Sequence, residues 1–477
     1  MYFEKYCRSQ IRADTFSHSN HVNQNLTHKA FHSLRIVSFF IFLVVFLFPE
    51  NHTKNIFAAG VILDSIGAIS AGRGGTNISH ADNGVLIHDN PAGLVNMSAR
   101  SRLELSVEFL YPEARYEDPL DIDYSKHEIF TLPTFSYTYK KNGDSRFAFG
   151  VGLFAPAGFS TEYHLEYAGF LDQRNNNISR LYRSDAQLLK LLFSASYTVE
   201  TIKGLSVGLS AGPTYLSAEL ESPYTFQTGA LTGSSALVDM DTDNFGFCYS
   251  AGIQYNIAKI NTTIGLAFVS ESKTTLRGDA DVFIPDIGLG AEYDVKTNFE
   301  WPRSIGFGIS HQLKDSHRFS ADVVWFNWKS AFDRLHLELT DGDNPLLNGM
   351  LGGEINDVLP LDWDDAFAYR FGYEYFLNLN KANDIFTAKD IFRVGYVYNE
   401  NPIPSDTLIP LINGTTKHNF NFGHTHKWEH WELNSAFEFA TSDNEFVEKS
   451  SLVGGDFDDS ELKAKVYTLS IGFAYRF

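Results

Sequence analysis

Hydrophobic and polar residues alternate over much of the chain, most clearly at its end. Between Lys465 and Phe477, every second residue from Tyr467 to Phe477 is large and apolar or aromatic, and most of those between are small or polar. Because successive side chains of a β-strand point to opposite faces, this pattern predicts a strand with one apolar face. Taken alone, it fits a strand of a soluble β-sandwich as well as any other β fold.

The same alternation recurs in about fourteen segments. Short turns and long polar connections alternate between them; 141–144, 202–204, 258–259 and 313–316 are tight turns, and 379–388 is of intermediate length. The predicted strands lie near 100–112, 127–141, 145–155, 186–201, 203–220, 244–258, 260–273, 298–313, 317–329, 364–378, 389–399, 416–427, 429–441 and 463–477. The predicted long connections lie near 113–126, 156–185, 221–243, 274–297, 330–363, 400–415 and 442–462.

This sorting of connections distinguishes the candidate folds. A sandwich has no reason to alternate short and long loops, whereas a transmembrane barrel has short periplasmic turns, long outer loops and an even number of strands. The bilayer also forbids an open sheet edge, so the sheet must close. We therefore predict an all-β protein, an antiparallel transmembrane β-barrel of about 14 strands in the outer membrane of a Gram-negative bacterium. Its outward apolar face would contact outer-membrane lipid and lipopolysaccharide.

Composition narrows the functional classes. The net charge of −20 argues against a nucleic-acid partner, which would require a basic surface. The two cysteines, Cys7 and Cys248, would be separated by removal of a leader, so we predict no intramolecular disulfide. We predict no cofactor and no metal. The His424–His426 stretch is typical of an exposed loop. The acidic runs near 239–244 and 454–461 are also typical of exposed loops and lack the spacing of a calcium loop.

The N-terminus predicts a secretory signal peptide. Ile36–Phe48 is an apolar run interrupted only by Ser38, Lys29 and Arg35 precede it, and small residues follow near Ala58. A run of this length is short for a membrane-spanning helix, which needs about 20 residues. We assign 1–58 to a signal peptide with an N-terminal extension; the alternative is a retained membrane anchor.

Residues 59–98 do not alternate and are rich in Gly, Ala, Asn and Asp, so they have no place in a barrel wall. An eight-stranded barrel is already filled by its side chains, and about fourteen strands enclose a wider lumen. We therefore predict three parts: the leader 1–58, an N-terminal hatch at 59–98 that plugs the lumen, and the barrel wall at 99–477.

The hatch segment carries a family resemblance. Its Gly-rich stretch Ala71–Gly75 and the later Asn90–Leu94, sequence NPAGL, resemble the hatch of the FadL/TodX outer-membrane transporters of fatty acids and other hydrophobic compounds. Leu153–Tyr163 looks like the kinked third strand of that family, and Phe392–Pro410 like a late strand with its Pro-containing loop. The resemblance implies a monomeric fourteen-stranded barrel with an internal hatch, passive transport and a hydrophobic small-molecule ligand.

Two motifs follow from this resemblance. The hatch motif would be Asn90, Pro91 and Ala92, although Asn-Pro also favours an ordinary turn. A kink that opens the wall sideways would comprise Ala155, Pro156, Ala157 and Gly158, since proline cannot donate to a sheet ladder and glycine weakens a strand. The alternative for Pro156 is simply the end of a strand at a long loop.

Ligand contacts are expected in two outer loops and in the lumen. Exposed apolar patches commonly bind ligands, and short helices that pack on each other are the alternative. The candidates in the loops are Tyr163, Leu165, Tyr167, Phe170 and Leu171, and Leu346, Leu347, Met350, Leu351, Ile355 and Leu359. Candidate contacts for a substrate carboxylate are Arg303, Arg370 and Arg393, each of which could instead pair with an acidic residue of the lumen.

The sequence thus predicts passive uptake of long-chain fatty acids or of aromatic or aliphatic hydrocarbons, and not an enzyme. His88 and Asp89 are adjacent, so their side chains point apart, and no nucleophile motif supports a catalytic triad. Two alternatives keep the same barrel: a surface adhesin or receptor that transports nothing, and an outer-membrane hydrolase, for which we find no nucleophile and base.

Overall fold

We describe the protein from a computed structural model, which places residues 62–126, 128–171, 177–314, 316–351, 353–377, 388–412 and 416–477. These residues belong to one compact unit, Ile56–Phe477. The predicted signal peptide and extension at 1–58 lie outside the described residues, and so does the start of the predicted hatch.

Strands of the described chain join into one antiparallel sheet. In chain order they are β1 Ser101–Glu117, β2 Ile122–Tyr124, β3 Phe130–Lys140, β4 Phe147–Leu171, β5 Asn177–Thr198, β6 Leu205–Thr225, β7 Ser235–Ile257, β8 Thr262–Val269, β9 Ser272–Ile284, β10 Leu289–Trp301, β11 Ser304–Leu313, β12 His317–Phe326, β13 Arg334–Thr340, β14 Glu354–Pro360, β15 Ala366–Leu377, β16 Asp390–Asn399, β17 His418–Lys427, β18 Trp431–Thr441, β19 Glu445–Val447 and β20 Ser460–Arg476.

Several of these strands continue one another across the wall. β8 with β9, β10 with β11, β12 with β13, and β14 with β15 each form one interrupted strand, and β2 and β19 are short additions paired to β1 and β20. The wall therefore has 14 antiparallel strands, which confirms the fold predicted from the alternation. It closes where β1 pairs with β20, from Arg102↔Arg476 to Glu117↔Glu461.

The apolar face of the last strand lies on the outside of the barrel. Leu469 and Phe473 are 46% and 52% exposed, whereas Ser470 and Ala474 are each 1% exposed. Outward apolar and inward small residues are typical of a wall surrounded by lipid. The backbone N–H of Phe477 donates to the carbonyl of Ser101 at 3.0 Å, so the chain ends as part of the closed wall.

The helices are short. No helix among the described residues is long and apolar enough to cross a membrane. The α-helices are α1 Ala68–Ala71, α2 Leu86–Asp89, α3 Trp328–Ala331 and α4 Pro345–Leu351, and the 3-10 helices are Pro91–Asn96, Gly229–Leu231, Ala258–Ile260 and Pro410–Ile412.

The hatch, defined here as residues 62–97, lies inside the barrel. Helix α1 packs against β17, β18 and β20, and the 3-10 helix Pro91–Asn96 packs against β5, β6 and β7 in another part of the wall. Most hatch side chains between Ile66 and Val95 are buried. The small inward residues of the strands provide the room for this packing.

Two wall glycines show how close the hatch lies to the wall. A Cβ atom built on Gly395 would lie 2.1 Å from the backbone nitrogen of Gly74, and one built on Gly208 would lie 2.3 Å from the carbonyl carbon of Pro91. Since real Cβ contacts are longer, any side chain at these positions would displace the hatch backbone.

The prediction that 156–185, 221–243 and 274–297 are loops is wrong. Strand β4 continues to Leu171, β5 begins at Asn177, and β7 to β10 also extend well beyond the predicted bounds. Acidic residues at alternate positions, such as Asp239 and Asp241, lie in parts of strands that extend beyond the membrane. These parts remain paired with their neighbours and have polar side chains on the outer face. Polarity was therefore mistaken for the absence of a strand.

Candidate functional site

Strand β4 is irregular at the predicted kink. Its pairing with β5 shifts register between Phe154 and Ala157. Pro156 lies in the shifted stretch and has no N–H to donate to a sheet ladder. The predicted kink residues Ala155 to Gly158 are all buried. They belong to a continuous strand, so Pro156 does not mark the end of β4.

The pairing of β4 with β3 stops just before the kink in chain order. The β3–β4 ladder ends at Phe135↔Leu153. Contact with the preceding chain resumes where the N–H of Lys126 donates to the carbonyl of Glu162 at 2.9 Å. Among the described residues, β4 therefore has no β3 partner over 154–161, and the wall contains a break in its ladder there.

The start of the hatch occupies this break. The N–H of Leu63 donates to the carbonyl of Pro156 at 3.0 Å, and Ile62 forms an isolated antiparallel bridge with Ala157. The Leu63 side chain packs against a buried apolar cluster beside the break. That cluster consists of Leu110, Phe130, Leu132 and Ala155.

The predicted hatch motif ties together separate parts of the hatch. Asn90 Nδ2 donates to the carbonyl of Ile78 at 2.6 Å, and Asn90 Oδ1 accepts from the N–H of Ala92 at 3.2 Å. Pro91 is the first residue of its 3-10 helix, where its missing N–H costs nothing. Asn90 is thus the N-cap of that helix, as an Asx side chain favours.

The same motif is held to the wall. The carbonyl of Ala92 accepts hydrogen bonds from the hydroxyl groups of Ser196 and Ser206 at 3.2 and 3.0 Å. Gln254 Nε2 donates to the carbonyls of Ile78 and His80 at 3.0 and 2.6 Å. Hydroxyl and amide side chains of the wall therefore satisfy hatch carbonyls that would otherwise be buried without a partner.

A buried network of charged groups joins the hatch to the wall strands β12, β15 and β16. Arg73 and Arg318 lie 2.8 and 2.7 Å from Asp82 Oδ2, and Arg318 lies 2.5 Å from Glu374 Oε2. Arg393 Nε donates to Glu374 Oε1 at 2.8 Å. The side chains of Arg73 and Glu374 are at most 1% exposed. Removing a single member of such a network leaves another buried charge uncompensated.

His80, Asp82 and Glu374 could hold a metal ion by their mutual distances, since one ligand atom of each lies within 4.8 Å of the others. However, both carboxylates already face Arg73 and Arg318. A divalent cation would add positive charge next to these guanidinium groups, so the donor set fits an ion-pair network and not a metal centre.

The hatch members of this network have shifted pKa values. Burial and the nearby guanidinium groups of Arg73 and Arg318 hold the pKa of His80 well below its usual value. Burial alone would raise the pKa of Asp82, but Arg73 and Arg318 outweigh it and hold this pKa well below the usual range. At neutral pH His80 is therefore uncharged and Asp82 is ionised.

An inner cavity of about 70 Å³, lined by both apolar and polar residues, lies next to the kink. Leu63 and Pro156 line it, together with Asp64, Arg370 and the pair His88–Asp89, in which His88 Nδ1 lies 2.8 Å from Asp89 Oδ1. Of the three predicted arginines, Arg370 faces this cavity and has a buried Nε without a hydrogen bond.

The other two predicted arginines have different surroundings. Arg393 is held by Glu374 and by the hydroxyl group of Thr425, to which its Nη1 donates at 2.6 Å. Arg303 is exposed. The structure therefore does not bring the three arginines together around one point.

A slightly larger and mostly apolar outer cavity of about 90 Å³ lies between the extended strands. Residues of β4 to β7, β10, β13 and β14 line it, together with parts of the connections at 400–412 and 448–459. Aromatic residues at its wall include Phe159, Tyr182 and Phe299. Ile62 lines the inner cavity and packs against the buried cluster that contains Phe159, a residue of the outer-cavity wall.

The predicted ligand-binding loops are only partly loops. Tyr163, Leu165 and Tyr167 belong to β4 and are at most 7% exposed, so the prediction of an exposed loop there is wrong. Their apolar side chains pack in the core formed by the extended strands. Phe170 and Leu171 also lie in β4, but the structure does not describe their side chains.

The second predicted segment contains a helix, α4. Leu346 and Met350 are 69% and 62% exposed, whereas Leu347 is fully buried. Leu351 is partly buried in the same cluster as Leu347, and the later residue Leu359 lines the outer cavity. The segment therefore presents apolar side chains both outwards and inwards.

Sequence reasoning missed Arg73, Asp82, Arg318 and Glu374 as functional candidates. One signal was present, because Glu374 is a charged residue between Tyr373 and Tyr375, on the inward face of a strand. A charged residue in the inward register of a barrel strand indicates a buried partner, although the pattern cannot show which one.

A sequence profile of the family described as outer membrane protein transport protein (OMPP1/FadL/TodX) matches residues 51–477. A long-chain fatty acid transport protein of Escherichia coli O6:H1 is 24% identical over 405 residues, which cover 74% of this chain and 83% of that protein.

Solved structures show the same fold. The toluene transporter TbuX of Ralstonia pickettii matches with a TM-score of 0.67 and 20% identity, covering 87% of this chain and 99% of that one. The toluene transporter TodX of P. putida matches with a TM-score of 0.69 and 20% identity, at 87% and 99% coverage.

Proposed function

Since this chain belongs to the outer membrane protein transport family OMPP1/FadL/TodX, and is thus an outer-membrane transport protein, we propose that it lets apolar compounds diffuse passively into the cell envelope. Its relatives indicate the cargo class, because their names describe transport of long-chain fatty acids or of toluene. The proposal includes no catalytic step. We also propose that the protein is a monomer, because the closed wall has no edge strand that could pair with a second copy.

The observation that carries this proposal is the break in the β3–β4 ladder at the kink. Leu63 of the hatch occupies the break through its hydrogen bond to Pro156. The inner cavity adjoins both residues, and Ile62 also packs against the apolar cluster that contributes Phe159 to the outer cavity. We propose that ligand enters the outer cavity, displaces the segment at Ile62 and Leu63, and leaves sideways into the membrane through the break.

The proposed ligand contacts follow this route. Phe159, Tyr182 and Phe299 would contact an apolar cargo in the outer cavity, and Arg370 would meet it in the inner cavity. The exposed Leu346 and Met350 of α4 would make the first contact outside. Outward aromatic side chains of the wall would contact lipid, and the outer rim would contact lipopolysaccharide.

The test restores a regular strand at the kink. In cells without their own transporter, uptake of a radiolabelled long-chain fatty acid and of toluene is measured for the wild type and for the double variant Pro156→Val/Gly158→Val. We expect the wild type to take up at least one of the two compounds and the variant to take up neither, while both barrels keep the heat-dependent gel shift of folded outer-membrane barrels.

Pro112→Val is the matched control, because Pro112 lies in a β1–β20 ladder of unbroken register. This control should transport as well as the wild type. Normal uptake by the kink variant would exclude the sideways exit. If a correctly inserted wild type takes up neither compound, the protein is better explained as a surface adhesin or receptor.

A further inference from the structure

The outer cavity has an unusual distribution of charge for a fatty-acid site. Its wall is mainly apolar, yet the charged residues that line it are all acidic: Asp185, Glu219 and Asp456. Among the described lining residues there is no lysine, arginine or histidine. An anionic head group would therefore lie near carboxylates in a place of little water, where like charges repel most strongly.

The nearest basic residue, Arg183, does not compensate for this. It lies outside the lining, and its guanidinium group is shared among Asp185, Glu219 and Glu221 at 3.8, 4.0 and 3.4 Å. These distances exceed or only approach hydrogen-bond length. Arg183 is therefore already engaged by three carboxylates and is not available to an anionic ligand.

Two buried oxygen atoms of the cavity wall accept no hydrogen bond. Asp185 is 4% exposed; its Oδ1 accepts from the hydroxyl group of Ser160, while its Oδ2 accepts no hydrogen bond and lies 3.8 Å from its ion-pair partner Arg183 Nε, too far for a hydrogen bond. Thr297 is 3% exposed, and its Oγ1 also has none. Buried polar atoms nearly always have a partner, so two such atoms in one cavity wall call for a donor from a ligand or solvent.

Resting on the transport function proposed above, we infer that the cargo of this protein is an apolar molecule carrying a hydroxyl or amino group, and not a carboxylate. The apolar lining holds the hydrocarbon part, and Asp185 Oδ2 accepts a hydrogen bond from the O–H or N–H group. Thr297 Oγ1 is a second hydrogen-bonding group for the same head group. A plain hydrocarbon would fit the lining but leave both oxygen atoms unsatisfied.

Four compounds with the same chain length separate these chemistries: 1-dodecanol, dodecylamine, dodecanoate and dodecane. Binding of each radiolabelled compound to the purified barrel in detergent is measured at pH 8, with protein-free micelles subtracted. We expect dodecanol and dodecylamine to bind at least about tenfold more tightly than dodecanoate, and more tightly than dodecane, because a hydrogen bond to a buried charged acceptor is stronger than one between neutral groups.

Asp185→Asn should weaken dodecylamine binding by about tenfold and strengthen dodecanoate binding, because it removes the negative charge at nearly constant shape. Thr297→Val should reduce the advantage of dodecanol over dodecane, and serves as the second variant if the first does not fold. Asp239→Asn is the matched control: it neutralises an exposed acid on β7 outside the lining and should leave the ranking unchanged.

Equal binding of dodecanoate and dodecanol to the wild type would overturn the inference, and so would an unchanged ranking in both cavity variants. Uptake of the same compounds into proteoliposomes separates this failure from that of the proposed function. Uptake without the expected ranking removes only the assignment of the cargo. The expected ranking without uptake removes transport but supports the chemistry of the cavity.

Discussion

The backbone N–H of Leu63 donates to the carbonyl of Pro156 at 3.0 Å, which joins the first described residues of the hatch to the kink of β4. Since the neighbouring β3 does not pair with β4 over 154–161, this hydrogen bond replaces part of a missing ladder. The seal of the wall therefore depends on the hatch, which is the element that a ligand could displace.

Leu63→Pro should open this seal. Proline has no N–H to donate, so the contact with Pro156 is lost and the segment is less firmly held. Liposomes that contain the purified variant are placed in a solution of a small neutral sugar. We expect them to swell faster than liposomes that contain the wild type. Leu63→Ala keeps the N–H and isolates the effect of the lost side chain; equal leakage by both variants would mean that the hydrogen bond does not contribute to the seal.

Gly395→Ala should disturb the seat of the hatch. The added Cβ would lie 2.1 Å from the nitrogen of Gly74 and 2.4 Å from the carbonyl carbon of Arg73, both backbone atoms. Overpacking of this kind costs roughly 1–3 kcal/mol. A lower unfolding temperature and faster proteolysis of the hatch are expected.

Gly143→Ala is its control, because a Cβ at this turn position would have nothing within 4 Å. It should behave as the wild type. If Gly395→Ala is as stable as this control, the hatch does not pack against the wall as closely as described.

Arg73→Met should destabilise the protein strongly. It leaves Asp82 and Glu374 buried with fewer cations, a change that typically costs about 3–5 kcal/mol. Arg146→Met breaks a pair with Glu200 in which both side chains are more than half exposed, at 57% and 54%, and should cost at most about 1 kcal/mol.

Urea-induced unfolding of the refolded barrels, followed by tryptophan fluorescence, gives both free energies of unfolding. A loss for Arg73→Met no greater than that for Arg146→Met would show that the buried network does not stabilise the hatch in its position.

The stability of the hatch should depend on pH through His80. Its pKa in the folded protein is well below the ordinary value of 6.5, so the unfolded chain binds a proton first as the pH falls. The stabilisation is therefore complete above about pH 6.5 and decreases below it, with a slope of up to about 1.4 kcal/mol per pH unit. Proteolysis of the hatch between pH 7 and 5 measures this slope.

Asp82 should not contribute in this range. Its pKa in the folded protein is well below the ordinary value of 3.8, so its stabilisation is lost only in stronger acid. His80→Gln should reduce the slope between pH 7 and 5 and leave the part due to His88, whose pKa burial also lowers, while His336→Gln, at an exposed position, should preserve the whole slope. An undiminished slope in His80→Gln must come from another group.

The wall and the place of the plug follow from the pattern of residues along the chain. A period of two residues is a local property of an extended chain, so the alternation in segments such as 463–477 revealed the strands, their number and their outward faces. A segment without alternation, 59–98, had to lie elsewhere, and the described part of it lies in the lumen. The Asn90 motif and the kink at Pro156 were also visible, because Asn-Pro and proline in a strand have local conformational consequences.

The contacts between these parts depend on the three-dimensional fold. Strand alternation shows that Glu374 points inwards, but its partners are distant in sequence and depend on the register of strands and on the path of the hatch. Arg393 was a candidate ligand contact until the fold placed it against Glu374. Tyr163 and Asp241 were assigned to loops because polarity predicts exposure, whereas strands that extend beyond the bilayer keep pairing while one face stays in water. The charge of the outer cavity likewise arises from strands that only the closed barrel brings together.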